Sequence, residues 1–239
     1  VQDVWPTVRS ERLALIADLE GLTAEQWATP SLCSGWTVHD VLAHIVATAK
    51  TSRLGFVRQF ARARFDFDRF TANGVKRERA DTPAETLNRL RAALDRTVTP
   101  PAPLDSRLVE MIVHGEDIRR PLGITREYPA DAVADALRLQ IRTTAGFGGG
   151  KELVAGLTLV ADDAEFSAGS GPQVRGPLLS LLLIASARGV AAADLHGDGL
   201  DTLRQRLGSG VVRGRRTARD PASSGGYGAP PVDRWGKSS

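Results

Sequence analysis

Glu110, His114 and Asp117 stand at i, i+4 and i+7 in the run from Leu104 to Arg120. At about 100° per residue, side chains so spaced lie within about 60° of one another on a helix. Leu104, Leu108, Ile112 and Ile118 fall on a different, apolar face. A glutamate and a histidine four residues apart have Cβ atoms about 6 Å from each other, so one rigid element can offer both to a single cation. His44 lies at the edge of an earlier apolar stripe made by Val38, Val41, Leu42, Ile45 and Ala49, a position that looks into a bundle. Two imidazoles and a carboxylate make the ligand set of a catalytic zinc centre, whose fourth position stays open for water or substrate. The competing reading is bland. Glu-x-x-x-His on a helix is also an ordinary solvated i, i+4 pair, and a lone His44 an ordinary core histidine. His39, in the first turn of its helix, is expected to be exposed, and His196 to sit in a turn; neither is assigned to metal.

Helical periodicity dominates up to residue 146. Val8, Leu15, Ile16 and Leu19 repeat at helix spacing, and Thr23-Ala24-Glu25-Gln26 reads as a capping box. Thr37 opens a helix that the pattern carries towards Phe60, and Arg62–Arg79 is only partly helical. Thr82 as N-cap, Pro83 at the first position and Glu85 behind them start another helix, to about Arg96. Thr99-Pro100-Pro101-Ala102-Pro103 ends it, since proline lacks the donor and blocks the preceding turn. Helices over Asp105–Arg120 and Ala130–Thr144 complete an antiparallel bundle at 1–146.

The glycine run Gly146–Gly150 changes the period and reads as a linker. Leu153–Val160, Glu165–Ala168 and Gln173–Arg175 are expected strands, Leu178–Ala187 a buried apolar helix, and Leu200–Leu207 a last amphipathic one. The fold class is therefore α+β, a helix bundle followed by a small α+β domain at 147–207. At about 60 residues that unit is too small to stand without leaning on the bundle. From 208 to 239 the composition turns to Gly, Ser, Arg and Pro, with Tyr227 and Trp235 as the large side chains, and is expected to be a disordered tail.

Composition narrows the function classes. The net charge of +3 belongs to the tail, where six basic and two acidic residues lie from Gly208 onward, leaving the remainder at −1. The folded part thus has no electrostatic footprint for nucleic acid. One cysteine excludes an internal disulfide framework and any multi-thiolate zinc site. No apolar run reaches the ~18 residues of a membrane span, and a cytoplasmic setting is expected. Ala145–Lys151 resembles a damaged phosphate loop, but Glu152 stands where Ser or Thr would bind magnesium. Arg213, Arg215, Arg216 and Arg219 form a basic run of the kind usually solvated.

The segment Trp27–His44, with Pro30-Ser31-Leu32-Cys33-Ser34-Gly35-Trp36-Thr37-Val38-His39-Asp40 at its centre, resembles the opening signature of the mycothiol-dependent maleylpyruvate isomerase family, a DinB-like bundle. Glu110-Met111-Ile112-Val113-His114-Gly115-Glu116-Asp117, running on to Gly123, resembles its second signature. Gly156–Asp162, Gly169-Ser170-Gly171-Pro172, Gly176-Pro177, Arg188 and Gly197-Asp198-Gly199 are similar to its C-terminal domain. The resemblance implies that His44, Glu110 and His114 are the metal ligands and that Asp117 orients a ligating imidazole. It further implies a divalent metal, zinc first, and mycothiol as thiol cosubstrate. Arg188 matches a family arginine and is the candidate catalytic residue for an anionic substrate, with Arg119 and Arg120 also close to the metal stripe. Each of the three has a surface salt bridge or a helix C-terminal charge as its bland reading.

The expected function is an enzyme in which mycothiol adds to an electrophilic small molecule, by cis–trans isomerisation or by S-transfer. The alternative is a non-catalytic carrier that keeps a structural metal. A third reading, a nucleic-acid accessory acting through the tail, predicts salt-sensitive affinity that vanishes with residues 208–239.

Overall fold

Caps written into the sequence set the helix starts. Thr23, Thr37 and Thr82 each accept a hydrogen bond from the third residue of the helix that follows, whose side chain returns a bond to the cap's own N–H. The computed structural model describes residues 3–209. Its helices are α1 (Trp5–Leu19), α2 (Ala24–Ala28), α3 (Val38–Lys50), α4 (Arg53–Arg62), α5 (Phe67–Glu78), α6 (Pro83–Arg91), α7 (Ser106–Arg119), α8 (Ala130–Gln140), α9 (Leu178–Ala185) and α10 (Leu200–Gly208). The α3 and α7 helices lie side by side in the middle. Around them α5 and α6 pack on α3, while α1 and α8 pack on α7.

The long helix expected to reach Phe60 is interrupted. Thr51 is extended, and Ser52 caps α4 by accepting from Gly55 N–H. Asp66 then caps α5 in the stretch that looked irregular. The reason is local: the Ser52 and Asp66 side chains satisfy N–H groups that a continuing helix would have bonded. The helix after Pro83 is also shorter than its periodicity, and a turn closes it. There the buried Arg12 donates from Nη1 to the carbonyls of Ala93, Leu94 and Arg96 at 3.1, 2.9 and 2.8 Å.

Three strands follow: β1 (Thr158–Ala161), β2 (Ser167–Gly169) and β3 (Gln173–Gly176), ordered β2-β1-β3. Thr158 pairs with Gly169 antiparallel and with Gln173 parallel. Leu153–Leu157, expected in the first strand, is a turn. Its side chains reach the core without a ladder, with Leu153 fully buried. The sheet side and the bundle share one apolar cluster that runs from Val8 and Ile45 through Leu137 to Leu182 and Leu203. The small unit therefore leans on the bundle through α8 and α9. The tail, with Tyr227, Trp235 and its arginine run, lies outside the described residues.

The glycine run is no loose linker. Ala145–Phe147 makes one 3₁₀ turn, the Gly150 N–H donates to the Gln140 carbonyl at 3.0 Å, and Glu152 caps the turn by accepting from Ala145 N–H at 2.8 Å. A Cβ on Gly150 would stand 2.2 Å from the Ala185 carbonyl oxygen, whereas one on Gly146 would meet nothing within 4 Å. Gly150→Ala should therefore destabilise the protein by about 2–3 kcal/mol, because α8 and α9 must part. Gly146→Ala should stay within about 0.5 kcal/mol. Urea denaturation of the two variants side by side measures the difference.

Candidate metal centre

The capping box at Thr37 starts α3, and His44 comes seven residues later on the face turned to α7. Its Nε2 lies 2.8 Å from Glu110 Oε1, and His114 Nε2 lies 3.8 Å from the same oxygen. The ligand atoms of His44, Glu110 and His114 are all within 4.8 Å of one another. The two imidazoles meet edge to face, with centroids 4.6 Å apart, and the Trp36 ring lies 5.2 Å from His44. The structure thus brings together the two histidines and the glutamate that the sequence had placed on separate segments.

Glu110 Oε1 is buried and makes no well-aligned hydrogen bond, although His44 is near. A buried carboxylate oxygen left in this way is costly unless a cation completes it. Around zinc, ligands at ~2.0–2.2 Å in tetrahedral array stand about 3.5 Å apart, which these separations bracket. The residues present fit a divalent metal. A second potential set, Cys33, His114 and Asp117, shares His114. There Asp117 is already committed. It accepts from Arg188 Nε at 2.8 Å and Nη2 at 2.5 Å, and from Cys33 Sγ at 3.0 Å. The set of His44, Glu110 and His114 is therefore the one whose carboxylate has no arginine already paired to it.

Behind the ligands, Asp117 Oδ2 lies 2.8 Å from His114 Nδ1. It is fully buried. This carboxylate holds the proton on Nδ1 and turns Nε2 towards Glu110, the usual backing of a ligating imidazole. Burial alone would raise the Asp117 carboxyl, but the Arg188 guanidinium and His114 hold it well below the ordinary carboxylate range. Burial likewise opposes ionisation of Glu110, and His44, His114 and Arg107 outweigh it. Burial pushes the His114 imidazole down, yet Glu110 and the Asp117 hydrogen bond bring it up to about 10.

Arg188 serves this backing. Besides Asp117 it donates to the Ser186 carbonyl at 2.5 Å and to Cys33 Sγ at 3.2 Å, so four of the five guanidinium N–H groups are taken. The Thr29–Trp36 loop closes the other side: Pro30 bridges Thr37, and Leu32 N–H donates to the Asp117 carbonyl at 3.2 Å.

Several expectations need correction. Arg119 and Arg120 point away from the metal stripe: Arg119 pairs with Asp18 at 2.7 Å and donates to Tyr128 Oη at 2.8 Å, and Arg120 pairs with Glu116 at 3.0 Å. The backbone of Gly115 makes room for that crossing, since a Cβ there would stand 2.7 Å from Arg119 Nη1. His39 is buried, not exposed, and its Nε2 lies 2.8 Å from Thr86 Oγ1.

The ligands open into a cavity of about 170 Å³ walled by Trp36, Phe56, Phe67, Phe70 and Phe147 and reached by Arg107 and Arg188. None of these four phenylalanines, nor Arg107, was singled out from the sequence. The mixed pattern of Arg62–Arg79 concealed Phe67 and Phe70, the glycine run concealed Phe147, and the helix expected to run on to Phe60 concealed Phe56. A wider cleft of about 500 Å³ beside Arg120, Tyr128 and Leu179 contains none of the metal ligands.

His44→Ala and Glu110→Gln should each lower bound zinc from about one per chain to well under half while far-UV dichroism is unchanged, as read by plasma mass spectrometry after gel filtration. Because His114 must lose its proton to ligate, zinc affinity should climb by up to about tenfold per pH unit across neutral pH. Competition titrations at pH 6, 7 and 8 measure the slope, and a flat profile would contradict it. Asp117→Asn, which cannot hold the same charge behind His114, should weaken zinc by about 10–100-fold in the same assay.

Comparison with known proteins agrees with this frame. The family model described as the mycothiol maleylpyruvate isomerase N-terminal domain matches residues 8–106, a span that contains His44 and ends before Glu110. Among curated protein sequences none matches this chain. A crystal structure of a mycothiol-dependent maleylpyruvate isomerase superposes with a TM-score of 0.56 at 17% identity, covering 81% of this chain and 91% of that one. The crystal structure of a histidine-to-alanine mutant of a mycothiol-dependent maleylpyruvate isomerase gives 0.58 at 16% identity over the same shares.

Proposed function

We propose that this chain, whose residues 8–106 match the mycothiol maleylpyruvate isomerase N-terminal domain and whose fold is similar to that of such an isomerase, is a metal-dependent enzyme that adds mycothiol to an electrophilic small molecule. The observation that carries the reading is the convergence of His44 and His114 on one buried oxygen of Glu110, in the lining of an aromatic cavity. A divalent cation held there would act as a Lewis acid on a thiol, whose pKa is ordinarily near ~8.5, and so supply a thiolate at neutral pH.

The chain's own groups do the rest. Asp117 keeps the His114 proton on Nδ1 and leaves Nε2 free to ligate. Arg188 keeps Asp117 ionised, acting through it as a positioning residue, and the one N–H that remains on Nη1 is what it can offer a substrate oxygen. The phenylalanines of the lining reduce the water around these groups, which strengthens the charge interactions among them.

Addition of the thiolate forms a carbon–sulfur bond to one alkene carbon and moves the π pair to the neighbouring position. For a cis alkene the former double bond can then rotate, and loss of the thiolate returns the trans isomer. In the transfer version a proton fills the carbanion and the thioether leaves. Both versions need the same thiol at the same place.

Zinc-loaded protein should bind mycothiol in calorimetric titration, and His44→Ala should lose that binding by at least about tenfold. With maleylpyruvate present, turnover that stops when mycothiol is omitted supports the isomerase. Adducts with other electrophiles, detected by mass spectrometry, support transfer. Zinc retained without any thiol binding would favour the carrier.

A further inference from the structure

Arg107 stands one helical turn before Glu110 on α7 and is the odd cation of the cavity. It is 6% exposed, and its hydrogen bonding amounts to a long 3.4 Å contact from Nε to Ser106 Oγ. Neither Nη1 nor Nη2 hydrogen-bonds to an acceptor among the described residues. The ionised groups that act on it are Arg12, which repels it, and Glu110, which attracts it without forming an ion pair. Glu110 is in turn shared by His44 and His114. An arginine buried without a partner is costly. The other buried guanidiniums, at positions 12, 119 and 188, each donate to at least one carbonyl or carboxylate.

Arg107 lines the same cavity as the rings of Trp36, Phe56, Phe67, Phe70 and Phe147. Phe56 and Phe70 lie 5.1 Å apart, and Phe67 and Phe147 6.0 Å, all centroid to centroid. Two parallel donors suit a carboxylate, and ring faces and edges suit a flat apolar body. A cavity of about 170 Å³ has room for one ring-sized group, since about 150 Å³ is enough to hold benzene.

We propose that Arg107 is a specificity-determining residue that binds the carboxylate of the second substrate while the phenylalanine wall takes its body, so that the electrophile is an aryl or similarly apolar unsaturated carboxylate. The assignment rests on the proposed function in placing the electrophile in this cavity. The charge balance agrees: Asp117 neutralises Arg188, and Glu110 is occupied by the metal centre, which leaves the charge of Arg107 for the ligand.

Cinnamate and its neutral analogue cinnamamide test it by calorimetry on the zinc-loaded protein without mycothiol. Wild type should bind cinnamate at least about tenfold more tightly than cinnamamide. Arg107→Gln should abolish that preference and leave cinnamamide unchanged, whereas Arg107→Lys should keep part of it. Phe147→Ala, at an exposed position in the cavity lining, should weaken both ligands alike. Independently of any variant's folding, cinnamate but not cinnamamide should protect Arg107 from phenylglyoxal, as mapped by peptide mass spectrometry. A preference that survives in Arg107→Gln, or equal modification of Arg107 with and without cinnamate, overturns the proposal. Since mycothiol is absent throughout, a protein that fails the thiol titration but passes this one loses the thiol reading and keeps Arg107.

Discussion

A histidine can offer one ring nitrogen to a cation only while something fixes the proton on the other, and for His114 that something is Asp117 at 2.8 Å. Asp117 can do so only while it is ionised, although it is fully buried. That needs Arg188, whose two bonds to the carboxylate come from the far end of the chain. The metal-facing geometry thus hangs on a buried ion pair between α7 and the residues after α9. Removing either partner would leave a bare charge in the interior, a cost of about 3–5 kcal/mol by general experience with such pairs.

The same chain of charges explains why the cavity has two ends. At the floor, Glu110 and the two histidines gather round one point, and the positive charge of Arg188 is cancelled by Asp117. Along the lining, Arg107 is left over beside partly buried aromatic rings. A low-dielectric lining strengthens both effects, since every uncompensated charge in it acts at longer range than it would in solvent. The cavity therefore joins a cluster of ionisable side chains to a lining that carries one unpaired cation among aromatic rings.

What could be read from the sequence divides along physical lines. The i, i+4, i+7 spacing of Glu110, His114 and Asp117 on α7 and the capped start of α3 are local facts legible in the sequence, but spacing alone fits an ordinary solvated pair, and the choice of His44 with them leans on the family resemblance. The helix starts at Thr23, Thr37 and Thr82 were visible for the same reason. Features that depend on distant partners were not. The apolar pattern ran through Thr51, where the Ser52 and Asp66 caps break the helix and so bring Phe56 and Phe70 within 5.1 Å. His39 was expected in solvent because nothing near it in the chain announces Thr86. The true neighbours of Arg119, namely Asp18 and Tyr128, lie 101 and 9 residues away. Arg107 carried no signal, because a missing partner is visible only in three dimensions.

The glycine run shows how far the site depends on the joining of the two parts of the chain. Gly150 lets α8 approach Ala185 at the end of α9, and Arg188 follows three residues later. From the same run Phe147 reaches back to Phe67 on the bundle. So one short segment sets the position of the guanidinium behind the ligands and of a ring on the wall in front of them. The bundle by itself holds the three candidate ligands, but Asp117 would then be buried without its cation and His114 without a reliable backing. Each part supplies what the other cannot: the helices provide the candidate ligands, and the small unit provides the charge that keeps His114 oriented.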